Sequence, residues 1–162
     1  MGSKIKIRQS QEADIAAISA LLAELSEAGM RSLPSDPRFV RDRYVLDPNR
    51  VSSAVAELDQ EIVGLQILSV APVDNAYGVP VGWGIIGTHV SPRSQRLGIG
   101  RRLFALSRPA GAAAGLRQID ATIGATNDQA LAFYESLGFR TYQTAVDLVK
   151  KRFDYPTWSS ST

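Results

Sequence analysis

The sequence predicts an α+β fold, a mixed α/β sandwich in which helices cover both faces of one mixed β-sheet. Three observations predict it. Short apolar or period-2 runs alternate with amphipathic stretches of helical spacing. These runs interleave in the order βααβββαβαβ, which gives a sheet with helices on its faces. No internal repeat, low-complexity linker or composition break divides the 162 residues, a length that supports one domain with a substantial core. Residues 1–152 are expected to form that domain, and 153–162, ending in Ser and Thr, a flexible C-terminal tail.

Each element has its own justification. Ile5 and Ile7 alternate with Lys4, Lys6 and Arg8, the pattern of a half-buried strand. Ser10 and Asp14 offer helix-start oxygens, Ile15, Ile18, Leu21, Leu22 and Leu25 recur at helical spacing, and Gly29 is a stop signal. Pro34, Asp36 and Pro37 open a shorter amphipathic segment through Phe39, Val40 and Tyr44, closed by the turn Asp47-Pro48-Asn49. Val51–Leu58, Asp59-Gln60 and Glu61–Val70 read as an antiparallel hairpin, and Trp83–Val90 as a further strand. A helix runs from Gly98 to about Leu116, where Pro109 should kink or shorten it. Gln118–Ala125 is a strand and Asp128–Leu137 a helix. Gly138-Phe139 opens one final strand region reaching about Lys151.

Composition narrows the function. With 18 basic against 16 acidic residues the formal net charge is +2, too small to argue for nucleic acid. Arg93, Arg96, Arg101, Arg102 and Arg108 nevertheless cluster, which suits a small polyanion better than an extended duplex. The absence of cysteine excludes disulfides, thiolate catalysis and Cys-ligated metals, and one histidine supplies no metal-ligand cluster. No run approaches the ~20 apolar residues that span a bilayer, and the opening residues lack the apolar core of a signal peptide. A cytoplasmic protein without a membrane partner is the expectation.

The stretch with most chemical content is Gln95-Arg96-Leu97-Gly98-Ile99-Gly100, between a strand ending at Val90 and a helix starting near Arg101. A strand that breaks into a glycine-bearing loop before a helix presents several free N–H groups to an anion. Gly98 and Gly100, lacking Cβ, are expected to let a phosphate approach the main chain. A P-loop requires Gly-Lys-Ser/Thr, whereas Arg101-Arg102 follows Gly100. Gly82-Trp83-Gly84-Ile85-Ile86-Gly87 matches the dinucleotide fingerprint literally, but it lies inside a strand and opens no helix.

The run Val90–Leu103 resembles the pyrophosphate-binding motif of the GNAT-type N-acetyltransferases, Gln/Arg-x-x-Gly-x-Gly/Ala, through Gln95, Gly98 and Gly100. Asn127–Phe139 is similar to the second cofactor motif of that family, Asn-x-x-Ala-x-x-x-Tyr-x-x-x-Gly-Phe. The resemblance covers nearly the whole chain, although Ser10–Asn49 matches only in helical outline.

It implies acetyl-CoA as co-substrate and no metal. The amides of Gln95, Arg96, Leu97, Gly98, Ile99 and Gly100 would hold the pyrophosphate, with Arg96 and Arg101 nearby in support. Main-chain groups near Val90 would pair with the pantetheine arm as an added strand, in a slot between splayed central strands. Asn127 would cap its helix and hold that arm. Tyr134 would be the general acid for the departing thiolate, and a backbone N–H near Val90 would stabilise the oxyanion.

The general base is the open position. Many relatives place a glutamate on the strand before the loop, yet Trp83–Val90 carries no carboxylate. His89, Asp120 and relayed water are the alternatives. The acceptor is expected to be a small-molecule primary amine attacking directly in a ternary complex, because no cysteine can carry an acyl group. A peptide or protein amine is one alternative, and a coenzyme A-binding sensor or partner module without turnover is another. Leu25–Asp47 and Ala71–Val81 would set acceptor identity. Tyr77 and Trp83 belong either to the acceptor cleft or to a subunit contact, which leaves a homodimer open.

Overall fold

A computed structural model describes residues 4–157 of the chain. Its strands are β1 Ile5–Gln9, β2 Arg50–Leu58, β3 Glu61–Val70, β4 Gly84–Val90, β5 Gln118–Gly124, β6 Arg140–Thr144 and β7 Leu148–Asp154. The helices are α1 Ile15–Glu27, α2 Pro37–Val40, α3 Ile99–Ala113 and α4 Asp128–Ser136. The strands form one mixed sheet in the order β1-β2-β3-β4-β5-β7-β6.

Strands β1 to β4 each run antiparallel to the next of the four. Between β2 and β3, Asp59 and Gln60 both adopt left-handed backbone (φ 52° and 68°). A two-residue turn of that hand matches the twist of the strands it joins. Alternation along these strands then assigns the helices to opposite faces. Val55, Leu65 and Ile67 pack with Ile18, Leu22 and Leu25 of α1. Their neighbours Ala54 and Ala56 pack with Ile99 and Leu103 of α3. Complete burial of Leu22 and Leu65 contributes about 1.5–3 kcal/mol per side chain.

The C-terminal third corrects two expectations. The single final strand is two, because β6 and β7 form a hairpin and β7 inserts between β5 and β6. The turn at Ala145-Val146-Asp147 contains no Gly, Pro or Asn to mark it, and Ala145 N–H closes it on the Leu148 carbonyl (2.9 Å). Second, Phe153 is core rather than tail. It is buried against Phe104 and Phe139 with ring centroids 5.5 and 5.4 Å away, and Tyr155 hydroxyl donates to the Arg108 carbonyl (2.8 Å). Residues 158–162 of the expected tail lie outside the described residues. Pro109 lies inside α3, which ends at Ala113, short of Leu116.

The feature that positions the site is a fork. Strands β4 and β5 are parallel and pair only at Gly84↔Ile119 and Ile85↔Asp120. Beyond Ile85, β4 follows β3 as far as Val90, while β5 follows β7 to Gly124. The edges of Ile86–Val90 and Ala121–Gly124 that face each other therefore lack a strand partner.

Candidate active site

The loop after β4 is held by side chains from three directions. Ser91 hydroxyl donates to Glu24 of α1 (2.6 Å), and Arg93 Nε reaches the other oxygen of the same carboxylate (2.7 Å). Those bonds, Ser91 first, hold the Glu24 carboxyl below its ordinary range. Gln95 turns back so that its amide nitrogen donates to the Val90 carbonyl (3.1 Å), and Gln129 of α4 donates to the Gln95 side-chain oxygen (2.7 Å).

Arg96 and Gly98 are both left-handed (φ 66° and 72°), which swings the chain sharply into α3. The Arg102 N–H makes the first helical bond, to the Gly98 carbonyl (3.0 Å). The amides just before it stay outside the helix ladder, as an anion-binding turn requires. Gly98 serves this turn through its backbone.

Gly100 has a different reason. A Cβ there would lie 2.7 Å from the Phe133 ring of α4, so the missing side chain admits that ring. Gly100→Val is accordingly expected to lower stability by about 1–3 kcal/mol through overpacking. Denaturant unfolding checks this, and an unchanged midpoint would contradict the packing role.

A cavity of about 350 Å³ follows the fork. Val90, Gln95, Arg96, Gly98, Ile99, Gly100, Arg101, Asn127 and Tyr134 all line it. Leu97 does not; its side chain is exposed. Asn127 caps α4, its side-chain oxygen accepting from Ala130 N–H (3.1 Å). Arg101 donates to Ser136 hydroxyl (3.1 Å), which ties the two helices flanking the cavity.

Tyr134 is buried, and its hydroxyl donates to Thr88 Oγ1 on β4 (2.9 Å). Burial pushes its phenol up to about 12, so the group stays protonated across the neutral range. Thr88 also accepts from the fully buried Gln66 of β3 (3.0 Å). Reading the sequence missed Thr88, Gln66, Gln129 and Phe133, which are separated from their partners by 22 or more residues. No local spacing could reveal these pairs.

The base candidates fare differently. Asp120 is fully buried and committed. It accepts from Tyr142 hydroxyl (2.6 Å) and Thr122 hydroxyl (2.7 Å), with Lys150 Nζ 3.7 Å away. His89 sits where two cavities meet, the one along the fork and another of about 610 Å³ on the other side of β4. Enclosure of its ring, reinforced by the Arg31 charge, pushes its imidazolium down to about 3. It is a neutral imidazole at pH 7 and a weak proton acceptor.

That depression fixes a stability signature. The unfolded chain takes up this proton below pH ~6.5 and the folded chain does not, so stability is lost as pH falls from there toward 3. His89→Gln is expected to flatten the decline of melting temperature between pH 7 and 4.5. Parallel wild-type and variant curves would contradict the enclosure.

The larger cavity lies between β4, the β3–β4 loop and the turn after α2. Tyr77 lines it, whereas Trp83 packs on Tyr142 (centroids 5.5 Å apart) beneath Arg152. Among the described residues no group of His, Asp or Glu could hold a metal ion, and no helix is long and apolar enough to cross a membrane.

The chain belongs to the acetyltransferase (GNAT) family, whose model matches residues 18–139. It is thus an enzyme of the acetyl-CoA-dependent N-acetyltransferase class. Within that family it is 30% identical over 139 residues to the phosphinothricin N-acetyltransferase of Streptomyces viridochromogenes, covering 83% of this chain and 74% of that one. The fold is shared with a Salmonella typhimurium protein solved with acetyl-CoA (TM-score 0.74, 19% identity, 98% of each chain). It is shared too with the PaiA N-acetyltransferase of Thermoplasma acidophilum in complex with coenzyme A (TM-score 0.75, 15% identity, 94% of this chain and 99% of that one).

Proposed function

We propose that this enzyme transfers the acetyl group of acetyl-CoA to the primary amine of a small molecule by direct attack in a ternary complex. The observation that carries the reading is the fork itself. An unpaired β4 edge leads into a turn of free amides, and Tyr134 hydroxyl stands opposite Thr88 on that edge.

The amides around Gly98–Arg101 bind the pyrophosphate, and the edge near Val90 takes the pantetheine arm as a strand. The amine enters from the larger cavity on the far side of β4. Its nitrogen forms the C–N bond to the acetyl carbon while the C–S bond breaks. The departing thiolate takes a proton from Tyr134, which burial keeps protonated until that step, and the phenolate recovers a proton from water in the cleft. Thr88, fixed by Gln66, orients the phenol.

With His89 a weak acceptor and Asp120 committed, the amine reacts in its neutral form and releases its proton to water in the cleft. The phosphinothricin N-acetyltransferase relative supports a small-molecule acceptor. A cytoplasmic location accompanies this reading, and a homodimer is the assembly to be checked by light scattering.

A panel of small amines incubated with acetyl-CoA, read by thiol release, is the test. Turnover of at least one class supports the proposal. Stabilisation by acetyl-CoA with no thiol release across the panel would instead support a coenzyme A-binding module, the reading favoured by the absence of a carboxylate on β4.

A further inference from the structure

We propose that the acceptor amine carries an oxyanion, carboxylate- or phosphonate-like, and that Arg31 is the residue that selects it; this inference rests on the acetyltransferase reading above. Arg31 lies in the loop between α1 and α2. Its Nη2 donates to the Pro34 carbonyl (2.8 Å) and Tyr44 hydroxyl (3.0 Å). Its Nε and Nη1 are buried, and neither has an acceptor among the described residues. Burying guanidinium N–H groups without an acceptor is unfavourable, because folding strips water from them and returns nothing. The missing partner is an anion.

The surroundings indicate where that anion comes from. The Arg31 guanidinium lies against the rings of Phe39 and Tyr44, 5.8 and 5.7 Å from their centroids, and both rings line the larger cavity. Tyr44 in turn faces His89 across 6.1 Å, at the junction with the cavity of the fork. Arg43 stacks on the other partner, 5.5 Å from the Phe39 centroid.

Among the described ion pairs neither Arg31 nor Arg43 has a carboxylate. Asp42, on the same wall, is taken by Arg38 and Arg41. The wall beside His89 is therefore a cationic one inside an aromatic frame. That frame owes its shape to the π-helical turn Arg41–Val45, which half-buries Tyr44 and leaves Arg43 exposed. Arg31 itself lines neither cavity, so an oxyanion reaches Nε and Nη1 only when the Phe39 ring, which is partly exposed and lines the larger cavity, turns aside.

A two-part experiment tests the assignment. First, the protein saturated with coenzyme A is melted with glutarate, with methylphosphonate and with uncharged glutaramide. Glutarate or methylphosphonate should raise the melting temperature and glutaramide should not. Arg31→Met should abolish the shift, and Arg31→Lys, which keeps the charge, should retain a measurable part of it. Second, matched amines are compared in turnover, each α-amino acid against its carboxamide. The acids should be preferred by about 10-fold in kcat/KM, and Arg31→Met should remove the preference by raising KM with little change in kcat.

Equal shifts with glutarate and glutaramide, or a shift that survives in Arg31→Met, would overturn the site. If Arg31→Met does not fold, the comparison of wild type with Arg31→Lys across the three probes decides in the same way. Acetylation of amines without preference for acids overturns the anion site alone. An Arg31-dependent glutarate shift without thiol release from any amine leaves the site standing and overturns the transferase reading.

Discussion

Replacement of Tyr134 by phenylalanine is expected to lower kcat by about 10²-fold, the usual contribution of one positioned proton donor. The ring itself is spared. Its packing on Phe133 and Phe139, with centroids 5.0 and 5.2 Å away, needs no hydroxyl. Only the bond to Thr88 is lost, which costs about 1 kcal/mol of stability. The KM for acetyl-CoA should hardly move, because the pyrophosphate turn and the β4 edge are untouched. Steady-state kinetics with a thiol probe give both numbers. An unchanged kcat with an intact fold would remove Tyr134 from the reaction and leave it as a core residue. Thr88→Val separates orientation from donation. It should lower kcat less than Tyr134→Phe, since the phenol remains but loses its partner.

Asp120→Ala should have the largest effect on stability, about 3–5 kcal/mol. Asp120 is completely buried and Lys150 nearly so, and the carboxylate gathers Lys150, Tyr142 and Thr122 around itself. Truncation leaves an ammonium in the interior with only the Thr122 hydroxyl for company (2.9 Å). For a chain of this size the loss corresponds to a fall in melting temperature of about 10 °C. Calorimetry checks it, and a fall of less than about 2 °C would mean that water reaches Lys150. Asp120→Asn should lose less, because the amide oxygen still accepts from Tyr142. The placement puts this carboxylate at the closed end of the fork, in the pair Ile85↔Asp120.

Local patterns made much of this legible. Period-2 alternation placed β1, and the hairpin of β2 and β3 followed from two apolar runs around Asp59-Gln60. The loop Gln95–Gly100 and the capped helix after Asn127 were readable because their chemistry lies within a few consecutive residues. What stayed hidden was non-local or unpunctuated. The β6–β7 turn has no breaker residue, and β7 takes its place beside β5 only through pairing with Gln118–Gly124. Phe153 reads as tail because Pro156 and a run of Ser and Thr follow it closely. Gly100 was readable as a glycine that needs space, but not whose space, since Phe133 arrives from 33 positions later. That Nε and Nη1 of Arg31 are buried without an acceptor among the described residues is invisible in any one-dimensional reading, because an arginine in a charged loop normally meets solvent.

The β4–β5 junction has a consequence for how the molecule holds together. Two panels, β1–β4 and β5–β7–β6, are stitched edge to edge by two residue pairs. A ligand lying along the seam becomes a removable eighth strand. Its concentration relative to its dissociation constant would then set how much the seam is stabilised. In hydrogen exchange, the free edge of Ile86–Val90 is where this would register, fast in the empty protein and slow when the seam is filled.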